Sequence, residues 1–138
     1  MREIKFRAWD NTSNKMNYRV LVGNTNTDDP CSIVWCDNEK KWLNFDKYCG
    51  CFMQYTGLKD KSGVEIYEGD IVTHGSLTDR LNGVEFIAKI VFNMGGFYIE
   101  GLNCNRFECV SIPIRDRVGT EVIGNIHENP ELLNGEKI

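Results

Sequence analysis

The segment MQYTGLKDKSGVEIYEGDIV, residues 53–72, holds the densest run of acids and phenols in the chain. Asp60, Glu65, Glu68 and Asp70, with Tyr67 among them and His74 just beyond, are the residue types a metal-dependent hydrolase needs. Such an enzyme requires two or three of them to converge on one point. Glu68 and Asp70 are two apart and can share a strand face, and a later strand could bring in His127 and Glu128. The spacing does not complete a motif. There is no HExxH, no phosphate-cradling GxxxxGK, and the whole chain contains only 2 histidines. No Ser-His-Asp or Cys-His arrangement can be read from it either. The same residues have a simpler structural reading. Gly57 permits a sharp turn after QYT, and KDKSG is a turn with Gly63 at positive φ. Asp70, after Gly69, can accept from nearby backbone amides where a strand begins. Structural joinery is the preferred reading, a binding surface the second and catalysis the third.

The candidate binding residues are Arg7, Trp9, Tyr55, Tyr67 and Tyr98. Arg7 and Trp9 of FRAWD share a strand face, so the guanidinium can stack on the indole, or Arg7 can act as an internal lock on an acid. Trp9, Trp35 and Trp42 each lie in a β-like run and are expected to anchor the core. The chain has 6 cysteines, with Cys31/Cys36 and Cys104/Cys109 each spaced C-x4-C and Cys49/Cys51 spaced C-x-C. In an extended strand each C-x4-C pair would be separated by about 17 Å and point to opposite faces. Small buried side chains are therefore expected rather than ligands, and neither metal nor cofactor is implied.

These residues need elements to hold them, and the elements read as strands. IKFRAWD alternates Ile4, Phe6 and Ala8 against Lys5, Arg7 and Trp9. The turn formers DNTSNKM follow, and MNYRVLVG reads as the return strand of a hairpin. CSIVWCD and KWLNF are two more strands. EGDIVTHG gives a short strand, Asn82-Gly83 marks a hairpin, and EFIAKIVFN pairs with FYIEGL across the turn NMGG. RFECVSIPI is a strand that Pro113 confines to an edge or ends, and TEVIGNI is a last strand whose glycine suggests a bulge. ENPELLNG predicts a helix of one or two turns, capped by Asn129 with Pro130 in first position, plugging one end of the sheet with Leu132 and Leu133. The fold class is mainly β: a small bent sheet or SH3-like barrel portion, an N-terminal β-hairpin region and a short C-terminal helix. The division is placed at residues 1–62 and 63–138, together one compact unit.

Length and charge narrow the function. A chain of 138 residues buries enough surface to be stable without a disulfide or metal. A net charge of −4 disfavours sequence-independent binding to DNA. The charged N-terminus is not a signal peptide and no window is apolar enough for a membrane span, so a cytoplasmic setting is expected.

Three blocks in order, IKFRAWD with NKM, then MQYTGLKDKSGVEIYEGDIV, then VIGNIHENPELL, resemble the YopX family, small proteins encoded by phages and prophages of bacteria. The stretches 20–52 and 74–117 carry no family signature, and all 6 cysteines lie there. The resemblance implies a phage or prophage origin, a cytosolic bacterial setting and a β-rich fold with a barrel-like portion. It implies no particular activity. A non-enzymatic protein-interaction module is the leading expectation, with a phage or host protein or a second copy of the chain as partner. The alternative is a protein of single-stranded nucleic acid that uses Phe97, Tyr98, Arg106 and Phe107. A metal-dependent hydrolase built on Asp70, His74 and His127 comes third.

Overall fold

A computed structural model describes residues 3–11, 13–23, 31–36, 39–44, 51–75, 85–102, 111–114 and 119–134. They fall into two compact units, Glu3–Gln54 and the part from Tyr55 onward. The division lies inside a strand. β6 (Cys51–Lys59) pairs through its first residues with one strand and through its last with another.

The N-terminal unit holds β1 (Phe6–Asp10), β2 (Lys15–Asn17), β3 (Val20–Gly23), β4 (Cys31–Cys36) and β5 (Lys41–Asn44). β1 pairs antiparallel with β2, Ala8 opposite Asn17 and Asp10 opposite Lys15. It also pairs with the start of β6, Phe6 opposite Gln54. The β1–β2 turn is closed by Asp10, whose carboxylate accepts from Ser13 N at 3.3 Å and from Ser13 Oγ at 2.8 Å. Strands β3, β4 and β5 form a separate antiparallel sheet in that order.

The return strand expected over MNYRVLVG is broken. Only Lys15–Asn17 stays with β1, and Val20–Gly23 pairs with β4. Asn17 is the physical cause. Its Oδ1 accepts from Arg19 N at 2.9 Å and its Nδ2 donates to the Trp35 carbonyl at 2.7 Å. A side chain that bonds backbone in this way competes with the strand ladder.

The C-terminal unit holds the rest of β6, then β7 (Glu65–Tyr67), β8 (Asp70–His74), β9 (Ile87–Asn93), β10 (Gly96–Gly101), β11 (Ser111–Pro113) and β12 (Thr120–Asn125). Its main sheet has five strands in the order β11-β10-β9-β8-β12, all neighbours antiparallel. This sheet is strongly curled into a half-barrel, as the bent-sheet expectation required. Period-2 alternation sends its apolar residues to both faces. Val72, Ala88, Ile90, Phe97 and Ile99 join Ile66 and Phe86 in one core, while Ile71 and Ile87 meet Leu132 on the other face. Burial of each of these side chains except Ala88 contributes roughly 1.5–3 kcal/mol.

Turn chemistry follows the sequence in several places. Gly63 has φ 87° in the KDKSG turn, and Met94 and Gly95 have φ 49° and 75° between β9 and β10. β11 is an edge strand that ends on Pro113, and β12 carries a register shift between Val122 and Gly124. Other expectations are corrected. The C-terminal helix is a lone 3-10 turn, Pro130–Asn134. Its Leu132 is buried, but Leu133 is 40% exposed. Asn129 does not cap it by side chain, because its Oδ1 accepts from Asn125 N at 3.2 Å. Gly57, at φ 88°, makes no turn: β6 runs on through it with an irregularity between Tyr55 and Lys59. The Asn82-Gly83 hairpin, Arg106, Phe107, Cys49, Cys104 and Cys109 lie outside the described residues. Among the described residues no helix is long and apolar enough to cross a membrane.

Candidate functional site

Two of the four acids of the central block, Asp60 and Asp70, are spent on backbone. Asp60 is buried, and its Oδ1 accepts from Ser62 N at 2.8 Å and Val64 N at 2.9 Å. Its Oδ2 accepts from Val122 N of β12 at 3.0 Å. Burial is the largest influence on this carboxyl and raises its pKa, but the amides of Val122, Val64, Ser62 and Gly63 together outweigh it. The result lies below the ordinary value of 3.8. Asp70 Oδ2 accepts from Tyr67 N at 2.8 Å, which fastens the turn between β7 and β8. Thr56 ties the same region, its hydroxyl donating to the Ile66 carbonyl at 2.7 Å. Glu68 is half-buried, and burial pushes its carboxyl above 4.5.

The sheet does not bring the proposed catalytic trio together. Asp70 and His74 close opposite ends of β8, about 13 Å apart at strand spacing. Asn125 lies opposite Asp70 and Thr120 opposite His74, so His127, just past Asn125, follows the Asp70 end. Among the described residues no group of three His, Cys, Asp or Glu is placed to hold a metal ion. Cys31 and Cys36 stand at the two ends of β4, and Cys36 is a free thiol.

Four of the five candidate binding residues lie in the interior. Arg7, Trp9, Tyr55 and Tyr67 are 4%, 7%, 4% and 3% exposed. Tyr55 and Tyr67 lie opposite each other on β6 and β7 with ring centres 5.4 Å apart. Tyr98 is half-buried on β10, and its neighbour Phe97 is in the core. Of the three tryptophans only Trp9 is buried; Trp42 is 40% exposed, and Trp35 is half-buried.

Trp35 leads to a site that no sequence motif marks. A cleft of about 360 Å³ in the N-terminal unit is lined by the end of β1, the β1–β2 turn, β2, the Tyr18-Arg19 connection and the end of β4. The Arg19 guanidinium lies 4.6 Å from the centre of the Trp35 ring. Trp42 meets the same indole edge-on, with centroids 5.5 Å apart and planes at 73°. The backbone fixes this stack. Trp35 N donates to the Arg19 carbonyl at 3.0 Å, and Asn17 holds both Arg19 N and the Trp35 carbonyl. Lys15 and Tyr18 complete the polar and aromatic lining. A volume of this size admits one or two side chains or a small ligand. Cations, an indole and a phenol equip it for recognition, and its lining contains no imidazole. The lining spans 26 positions, from Asp10 to Cys36, and Arg19 and Trp35 are 16 apart, so no local spacing could announce the stack. The only hint is the polar NYR within an otherwise strand-like run.

Among solved structures the chain is similar to protein EF1440 from Enterococcus faecalis, with 31% identity and a TM-score of 0.64. The likeness covers 96% of this chain and 99% of that one. No curated protein matches the chain. The model of the YopX protein family matches residues 5–134, so nearly the whole chain is covered and the protein belongs to the YopX family.

Proposed function

We propose that this protein is a non-enzymatic interaction module of phage or prophage origin, working in the bacterial cytoplasm by binding a phage or host protein. The observation that carries the reading is the surface of the N-terminal unit. Tyr18, Leu21 and Trp42 are 60%, 54% and 40% exposed, and Tyr18 lines the cleft. Rigid aromatics beside a concave, mixed-charge cleft are the usual anchors of a protein interface. Asp60 and Asp70 of the central block serve the fold, which supports binding over catalysis as the role left for the surface. A second copy of the chain is the alternative occupant. The single-stranded nucleic-acid reading has less support, since Phe97 is in the core and Tyr98 only half exposed.

The test is affinity capture from infected or prophage-induced cells with the native chain and a Tyr18→Ala/Trp42→Ala variant. A protein recovered by the first and lost with the second, at unchanged Tm, is the expected outcome. An identical captured set for both would remove the interface from this surface.

A further inference from the structure

Resting on the interaction-module reading, we propose that the cleft receives a carboxylate of an acidic peptide segment, with the Arg19 guanidinium as a two-pronged donor and Lys15 as the second charge. Arg19 is ordered without being used up. Its guanidinium stacks on Trp35 at 4.6 Å, and its backbone is held on both sides, N–H to Asn17 Oδ1 and carbonyl from Trp35 N. Among the described residues its side-chain N–H groups make no hydrogen bond or ion pair. A stacked guanidinium has already lost part of the rotamer freedom that binding removes. It presents parallel N–H groups that match the two oxygens of a carboxylate.

Lys15 lines the same cleft and makes no ion pair among the described residues, although Asp10 lies opposite it in the β1–β2 register. Asp10 is instead engaged through both oxygens by Ser13. Two cations thus face one carboxylate already bonded, a local positive excess on a chain whose net charge is −4. That contrast selects the ligand. A polyphosphate strand extends well past the cleft and meets the negative remainder of the protein. A side-chain carboxylate is governed mainly by charges within a Debye length of about 8–10 Å. The cleft volume of about 360 Å³ also suits one or two peptide side chains.

The test titrates the full chain with the blocked peptide acetyl-GDEDG-amide and its neutral counterpart acetyl-GNQNG-amide, following the Trp35 indole N–H and Arg19 Nε–H signals by NMR. Saturable shifts at both signals with the acidic peptide only are expected. Arg19→Gln should weaken binding roughly 10- to 100-fold, and Arg19→Lys, which keeps the charge but loses the fork and the stack, about tenfold. Lys15→Gln leaves the Trp35 stack intact and should also weaken it. Absence of shifts at millimolar peptide would overturn the proposal, as would equal shifts with the neutral peptide or wild-type affinity in Arg19→Lys. Tighter binding of oligo-dT or inorganic phosphate than of the peptide would reassign the site to phosphate and overturn it too. Partner capture separates this from the broader reading. Capture that persists in Arg19→Gln and Lys15→Gln but fails in Tyr18→Ala/Trp42→Ala would retain an interaction module and remove the carboxylate site.

Discussion

The Asp60 carboxylate closes its own turn through Oδ1 and reaches Val122, 62 residues along the chain, through Oδ2. An asparagine there has a single acceptor oxygen and sets an NH2 group against backbone N–H donors. Asp60→Asn should therefore cost roughly 2–4 kcal/mol, read from urea unfolding near neutral pH. The pH dependence has a definite sign. Because the folded carboxyl lies below its ordinary 3.8, its contribution is present above that value and is lost as pH falls through the folded pKa. Glu68 runs the other way, since its raised pKa gives a contribution present below 4.5 and lost as pH rises through the folded value. Asp60→Asn should accordingly lose less stability than the native chain as pH falls below 3.8. Equal acid-side slopes would show that this carboxylate does not carry the effect. Half of this role was legible in the sequence. KDKSG announces its turn by its glycine and its acid, whereas nothing near Val122 points back to Asp60.

The β9–β10 hairpin is a case where local chemistry is nearly sufficient. Asn93 and Gly96 pair across a two-residue turn whose residues Met94 and Gly95 both have positive φ. That geometry favours Asn-Gly, because a short polar side chain tolerates the left-handed region better than an unbranched apolar one. Met94 is 89% exposed and buries almost nothing that would be lost. Met94→Asn is predicted to stabilise the protein by about 0.5–1 kcal/mol, seen as a Tm rise of a few degrees. An unchanged or lowered Tm would mean that the methionine makes contacts worth as much as the strain. Elsewhere element-scale reading failed for a definable reason. MNYRVLVG carries enough β-forming residues for one strand, yet the Asn17 side chain gives the backbone another partner and the run splits between two sheets. ENPELLNG has helix signals at each position, but Asn129 is drawn to Asn125 and one 3-10 turn is all that forms.

At the scale of the whole molecule, 20 acids against 16 lysines and arginines set a pI near 5.2. Solubility should pass through a minimum close to pH 5, measurable by precipitation across a buffer series, because self-repulsion vanishes where net charge does. A minimum well away from that pH would indicate strongly shifted groups beyond those identified. Most strands outside β6, β7 and the split MNYRVLVG run, the turns at Gly63 and Gly95, the edge placement of Pro113 and the β12 bulge were legible in the sequence, because period-2 alternation and φ preferences act over a few residues. Tertiary structure alone decided which strands distant in sequence pair, where β6 passes from one unit to the next, and that Arg19 comes to rest on Trp35. Those outcomes depend on contacts between residues far apart in the chain, and such contacts leave no periodic trace along it.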